Sequence, residues 1–306
     1  MHQTARAKTS NAPLDAQGVS QSNSVIRHAD IVANSHFANF GDVWKHLPLA
    51  EVLRARPAPE YWETHAGSAT YDLTDSQTRR HGAFHFLATA QTDPDLSASA
   101  YLDALRATPG IYPGSAALAS RVLGANCRYL LCELDPASAD SLRTMGHALN
   151  LELRVVEGDG ISAIRLESAI CDLPPDGILV HVDPFDPFER STSDGLTPIE
   201  LAGDLAASGY RVFYWYGYES IEDRGWAKAA ISKRAPNADV WCGDMLVPSP
   251  FVYPDRPGVW GCGIVLANMT SVEAESCRRL GAALERISVS DRLPDNEPPG
   301  VQFQVM

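Results

Sequence analysis

GILVHVDPFDPFE, residues 177–189, is the stretch whose reading decides the fold. Ile178, Leu179, Val180, His181 and Val182 form an apolar, β-prone run of strand length, the pattern of a strand buried on both faces of a parallel sheet. Asp183 and Pro184 end it, and Phe185, Asp186, Pro187 and Phe188 follow. Ligands of open α/β sheets bind beyond the carboxyl ends of the strands, so polar and aromatic groups arriving there face a pocket. Asp183 is the first candidate for chemistry. The plain alternative is an Asp-Pro turn that only stops the strand.

Outward from this strand, the chain alternates. Strands are expected at 61–64, 128–134, 152–156, 177–182, 210–216, 239–247 and 261–268, seven in all. Helices are expected between or after them near 115–123, 136–149, 160–168, 197–208, 219–234 and 272–287. Alternation of this kind predicts an α/β, Rossmann-like, mostly parallel doubly wound sheet. Before the first strand, Asp42 is placed to cap a helix carrying Val43, Leu47, Ala50 and Leu53 at helical spacing, with Pro48 a point for a kink. Two amphipathic segments, near 82–91 and 97–107, interrupt the alternation. The chain therefore divides into a disordered segment at 1–24, rich in Ser, Asn, Gln and Ala, a motif segment with the start of the main domain at 25–72, a helical insertion at 73–112, the rest of the domain at 113–287, and a Pro-rich acidic tail at 288–306 left unassigned.

Composition narrows the class. The 306 residues suffice for one large domain with an insertion, and 45% hydrophobic with 21% charged residues is ordinary for a soluble protein. No apolar run has the length of a membrane span, and Met1 to Ser24 lacks a signal-peptide core, so a cytoplasmic enzyme is expected. The six cysteines are scattered without metal spacing and read as reduced thiols, with no metal site. The net charge is −13 and Lys8, Lys45, Lys228 and Lys233 are the only lysines. Nucleic-acid binding draws its non-specific affinity from Lys and Arg, so this balance weighs against an RNA substrate. Arg54, Arg56, Arg79, Arg80 and His81 read as a solvated face before they read as a basic patch.

Small or acidic residues follow successive strands: His65 to Ser68, Glu133, Asp159 and Asp183. A carboxylate at the second strand end can accept both ribose hydroxyls and the next can hold an adenine amine, while the small turn leaves room for the rest of a nucleoside cofactor. Each acid alone is more often a helix cap. Neither GxGxxG after the first strand nor GxxxxGK[ST] anywhere is present. S-adenosyl-L-methionine, which needs no phosphate cradle, fits best.

The strings FGDVWKH (40–46), THAGSATY (64–71), YPGS (112–115), CELDP (132–136) and VDPF (182–185) occur in the order and approximate spacing of the RlmJ family, which this chain resembles from about Arg27 to Met269. That family comprises S-adenosylmethionine-dependent 23S rRNA adenine-N6-methyltransferases with a Rossmann-like class I fold and a helical insertion. The resemblance implies that His46, His65, Gly67, Ser115, Glu133, Asp159 and Asp183 lie at the cofactor, and that Lys45 stands at the reacting centre. His36, Phe185 and Phe188 are expected at the methyl acceptor.

The departures bear on the acceptor. In the family Asp183 would open a D-P-P-Y type motif, whose acid and following carbonyl hold an exocyclic amine while the aromatic residue stacks on a flipped base. Here Phe185 replaces the second proline and Asp186 the aromatic residue. Stacking is worth about 1–3 kcal/mol per base, comparable with the cost of flipping. The family's Tyr-Arg-His reads Ile26, Arg27, His28 and lies farther from Lys45. Retained transfer machinery with a changed acceptor is the expectation: N-methylation of a small molecule, an amine or heterocycle of secondary metabolism, with Asp183, Lys45 and Asp186 catalytic. The alternative is 23S rRNA adenine-N6 methylation; a second is a cofactor-binding interaction module without catalysis.

Overall fold

The computed structural model describes residues 36–193, 195–252, 255, 259–288 and 300–306. The expected disordered segment and the Ile26, Arg27, His28 string lie outside them. Helix α1 (Phe40–Ala55) comes first and is buried on all sides from Phe40 to Leu53. Such a helix is internal to its domain rather than laid on the surface. Its N-cap is Asn39, whose side chain accepts from Asp42 N at 3.2 Å, and not Asp42 as the sequence suggests. Asp42 stands inside the first turn, where an acid suits the helix dipole, and its carboxylate is drawn to Lys45 instead. The helix runs through Pro48 as one element.

After α1 come β1 (Glu60–Glu63), β2 (Thr70–Asp72), α2 (Gln77–His81), α3 (Ala83–Thr89), α4 (Ala100–Ala107), β3 (Ile111–Pro113) and α5 (Ser115–Leu123). Strands β2 and β3 pair antiparallel, bringing both ends of the intervening helical segment together beside the site. The alternating part follows: β4 (Arg128–Glu133), α6 (Pro136–Ala148), β5 (Glu152–Glu157), α7 (Gly160–Ile170), β6 (Ile178–Val182), α8 (Pro198–Ala207), β7 (Arg211–Tyr218) and α9 (Trp226–Arg234). Strands β8 (Val240–Pro248) and β9 (Val259–Ala267), helix α10 (Ser271–Ser288) and β10 (Gln302–Val305) complete the fold.

The main sheet has eight strands in the order β10-β8-β9-β7-β6-β1-β4-β5. From β7 to β5 every pairing is parallel, and β9, β8 and β10 add antiparallel. The seven expected strands are present; the eighth, β10, comes from the unassigned tail. Helices cover both faces, α1, α4, α5, α6 and α10 on one and α7, α8 and α9 on the other, each over its own apolar core. Chain direction across the sheet reverses between β1 and β6, the crevice where doubly wound sheets bind ligands. Asp183 follows directly on β6 at that crevice.

The first turn of α7 sits hard against the turn after β1. A Cβ on Gly160 would lie 1.9 Å from the Thr64 carbonyl oxygen, a backbone atom that cannot step aside. Gly160→Ala is therefore expected to lower stability by about 1–3 kcal/mol, as overpacking does, read as a lower midpoint in thermal or urea unfolding.

Candidate active site

The turns that follow β1, β4 and β5 are tied to one another. Gly67 adopts φ 62°, a conformation that favours glycine, and this aims its N–H at Glu133 Oε2, 2.7 Å away. The other oxygen of Glu133 accepts from Asp135 N at 2.8 Å. An ionised carboxylate has about four acceptor positions, so each Glu133 oxygen keeps one for a ribose hydroxyl. These residues fit the nucleoside half of S-adenosylmethionine. Asp159 is more heavily engaged. Oδ1 caps α7 through Ile161 N at 3.0 Å and Ser162 N at 3.4 Å. Oδ2 accepts from Ser162 Oγ, Ser191 Oγ and Thr192 N at 2.9, 2.6 and 3.3 Å. A further donor reaches Asp159 only if the Ser191–Thr192 turn gives way.

At the end of β1 lies a buried network that the sequence does not reveal. Glu63 Oε1 accepts from Ser115 Oγ at 2.5 Å and contacts His181 Nδ1 at 2.8 Å. Its Oε2 accepts from Tyr61 OH at 3.1 Å. Ser115, expected at the cofactor, thus uses its hydroxyl to fasten α5 to β1. His46 Nδ1 meets Tyr112 OH at 2.7 Å, and Tyr112 OH meets Tyr101 OH at 3.2 Å, so the insertion side of the molecule fixes the ring of His46. His65 is held at Nδ1 by Thr64 Oγ1 at 2.7 Å. Burial pushes both histidines below the usual imidazole range, and for His46 the Lys45 charge adds to it; both rings are neutral near pH 7.

Lys45 is the centre of charge. Its Nζ lies 2.7 Å from Asp183 Oδ2 and 2.9 Å from Asp42 Oδ1, and it sits 5.4 Å from the centre of the Trp215 ring. Burial favours the neutral amine, but Asp183 and then Asp42 outweigh it and hold the ammonium well above its ordinary range. Burial likewise works to raise Asp183, and the Lys45 charge, followed by His181, overcomes it and keeps the carboxyl below the usual range. Lys45 is therefore a fixed cation, not a base, and Asp183 is an ionised acceptor.

The remaining expected residues are not gathered there. Asp186 is exposed and accepts from Phe188 N at 2.8 Å through Oδ1, the geometry of a turn residue. Phe188, 63% exposed, leans on Trp226 with ring centres 5.1 Å apart, and Trp226 belongs to the core on the opposite face from Lys45. Phe185 is 65% exposed at the mouth of the crevice, and His36 is exposed. The structure adds Asp42, Glu63, Tyr112, His181 and Trp215; Asp42 and Tyr112 fall in motif strings noted above and His181 in the strand that ends at Asp183, but no role was expected of these three in the site. Among the described residues no cluster of His, Cys, Asp and Glu could hold a metal, and no helix is long and apolar enough to cross a membrane.

A family model described as "Ribosomal RNA large subunit methyltransferase D, RlmJ" matches residues 57–199. No curated protein matches the chain. A crystal structure of a Legionella pneumophila protein, assigned to the family DUF519, is similar over 89% of this chain and 98% of its own, with 22% identity and a TM-score of 0.63; at that identity the likeness speaks for the fold alone. A probable spermidine synthase from Corynebacterium glutamicum (14% identity, 90% and 78% covered, TM-score 0.41) is more distant. So is an S-adenosylmethionine-dependent methyltransferase from Agrobacterium tumefaciens (11% identity, 74% and 61% covered, TM-score 0.38). The family match does not support the small-molecule acceptor expected from charge and from the altered motif. Over residues 57–199 the chain is RlmJ-like, and it is an S-adenosylmethionine-dependent methyltransferase with a class I, Rossmann-like fold.

Proposed function

We propose that this enzyme methylates the exocyclic N6 amine of an adenine in 23S ribosomal RNA. The observation that carries the reading is the RlmJ family match over 57–199, a span holding the His65 to Ser68 turn, Ser115, Glu133, Asp159 and Asp183. It outweighs the acidic composition, because net charge governs steering and non-specific affinity and not the chemistry of a site. The missing aromatic residue has a stand-in. Phe185 follows the Asp-Pro pair directly and is exposed, free to turn onto an extruded base, where stacking contributes about 1–3 kcal/mol.

The cofactor supplies a methyl group on a sulfonium, and the protein's part in such an in-line displacement is alignment. Glu133 would accept the ribose hydroxyls, and the neutral imidazoles of His46 and His65, with the Gly67 turn, would line the rest of the nucleoside and amino-acid cleft. Asp183 and the Pro184 carbonyl would take N–H groups of the amine, turning its nitrogen toward the methyl group. Lys45 keeps Asp183 ionised, so that it only accepts. The proton lost after transfer passes to water, for which Asp186, exposed in the turn beyond the Lys45 cluster, would be the relay.

Purified enzyme with labelled cofactor, given protein-free 23S rRNA in parallel with a panel of small amines, tests this reading. Label in N6-methyladenosine is the expected result; label confined to a small amine would return the acceptor to a metabolite. Glu133→Gln is expected to weaken cofactor binding about 10- to 100-fold in calorimetry, since hydrogen bonds to a charged group contribute about 1.5–3 kcal/mol.

A further inference from the structure

The carboxylate of Asp159 is filled by the protein itself. Oδ1 caps α7 through Ile161 N and Ser162 N at 3.0 and 3.4 Å, which is all that a helix start asks of an N-cap side chain. Oδ2 accepts separately from Ser162 Oγ at 2.9 Å, Ser191 Oγ at 2.6 Å and Thr192 N at 3.3 Å. The last two come from the connection between β6 and α8, 32 and 33 residues farther along the chain. An ionised carboxylate has about four acceptor positions, and five donors are directed at this one. The hydroxyls around it close on one another as well. Ser162 Oγ lies 2.5 Å from Ser191 Oγ and also meets Ser193 Oγ, while Ser193 N donates to Ser191 Oγ at 3.4 Å. Ser191 is buried and Thr192 and Ser193 are exposed, so the turn covers Oδ2 from the solvent side. Burial works to raise the Asp159 carboxyl, and the Ser191 hydroxyl, followed by Ser162 and the amides of the cap, outweighs it and holds the carboxyl below its usual range.

The backbone sets this carboxylate beside the acid proposed for the ribose. β5 runs along β4 until Glu157 stands opposite Glu133, and Gly158 N, one residue before Asp159, donates to the Glu133 carbonyl oxygen at 3.0 Å. A nucleoside held by Glu133 would carry its base toward Asp159, and the exocyclic amine of adenine is an N–H donor, as Thr192 N is. We propose that the Ser191–Thr192 turn is an autoinhibitory latch: it occupies the Asp159 Oδ2 positions that the cofactor's adenine amine takes, and S-adenosylmethionine binds by displacing it. The apparent affinity for the cofactor is then the intrinsic one reduced by the fraction of molecules whose turn is released. A cap for α7 needs no second set of donors from a distant segment. Nor does the turn need Asp159 to close, since Ser191 N donates to Leu196 O at 2.8 Å and Gly195 N to Ser191 O at 3.1 Å. The inference rests on the place of Asp159 at the cofactor and is independent of the methyl acceptor.

The test is calorimetric titration of the full chain with S-adenosylmethionine and with its analogue carrying hydrogen in place of the adenine amine. Ser191→Ala removes one donor from Asp159 Oδ2 and leaves Oδ1 capping α7. It is expected to bind S-adenosylmethionine about tenfold more tightly, the factor that one hydrogen bond to a charged group confers, and to bind the analogue as the wild type does. In the wild type, hydrogen exchange at the Thr192 amide is expected to speed up when cofactor is added, whereas a ligand that left the turn in place would slow it or leave it unchanged. Weaker binding by Ser191→Ala would make Ser191 a ligand of the cofactor. That result, equal tightening for both compounds, or exchange at Thr192 that does not rise overturns the latch. Asp159→Asn, made in the Ser191→Ala chain, separates the two ways of failing: it is expected to weaken S-adenosylmethionine about tenfold and the analogue not at all. Should it weaken neither, the place of Asp159 at the adenine falls and the latch with it. Should it weaken the cofactor while Ser191→Ala alone changed nothing, only the latch falls.

Discussion

Asp183→Ala is expected to lower kcat by about 10²- to 10³-fold, the loss of a preorganised group that orients the reacting amine, with cofactor affinity largely intact. Asp183 stands at the carboxyl end of β6, where chain direction across the sheet reverses, and its ion pair with Lys45 points it to the α1 side. The residues proposed for the nucleoside are others, chiefly Glu133, to which Gly67 N donates. Truncation would therefore remove the group proposed to hold the acceptor amine and leave the proposed cofactor cleft in place. The fold should survive it, because Asp42 still pairs with Lys45. Single-turnover transfer and calorimetric titration of the cofactor, on the same preparation, separate the two effects. Normal turnover in this variant would remove Asp183 from the chemistry, and a cofactor affinity that collapsed along with the rate would assign it to binding.

Much of the scaffold around Asp183 was legible from the chain alone, for a physical reason. A strand buried on both faces, such as Ile178–Val182, has to be apolar throughout, and the residues ending it have to break it, so composition changes at the site itself. The same contrast marks Glu133 and Asp159. β10 was not legible, because a four-residue edge strand beyond a Pro-rich stretch carries no such contrast; it is held by pairing with β8 and by Phe303 against Trp44. The buried network at Glu63 was hidden in another way. Its partners Ser115 and His181 are 52 and 118 residues away, and no spacing rule links a strand-end glutamate to a helix-start serine.

The same distance hid the charge centre, since Lys45 and Asp183 are 138 residues apart. Only resemblance to the RlmJ family placed them together. Asp42 was misread as a cap because a helix-start acid and a site acid look alike in sequence; what separates them is Asn39, three residues earlier, already doing the capping. Phe188 was expected beside Phe185 because both follow the strand. The turn closed by Asp186 instead sends Phe188 toward Trp226, on the other face of the sheet.

Lys45→Met should be the most destabilising single change at the site, by about 3–5 kcal/mol near neutral pH, since it leaves buried carboxylates without their counter-charge. Methionine fills a similar volume, so little of this comes from packing. The pH dependence distinguishes charge from any other cause. In the wild type the depressed Asp183 contributes stability above its unfolded value of about 3.9, lost as pH falls through its lower folded value. Lys45, raised on folding, contributes below about 10.4 and loses that contribution as pH rises through its still higher folded value. The pair is thus intact across the whole interval between. Without the ammonium that both contact, the buried carboxylates of Asp42 and Asp183 repel each other, and one of them takes up a proton on folding. The folded variant then binds more protons than the unfolded chain, so its stability deficit narrows as pH is lowered from about 8 to about 5. Adding Asp42→Asn to Lys45→Met leaves one carboxylate where there were two and should recover part of the loss at pH about 8, while leaving little at pH about 5 to recover. Urea midpoints at both pH values measure this; a deficit that stays constant with pH, or a double variant no more stable than the single one, would show that Lys45 acts through something other than its charge.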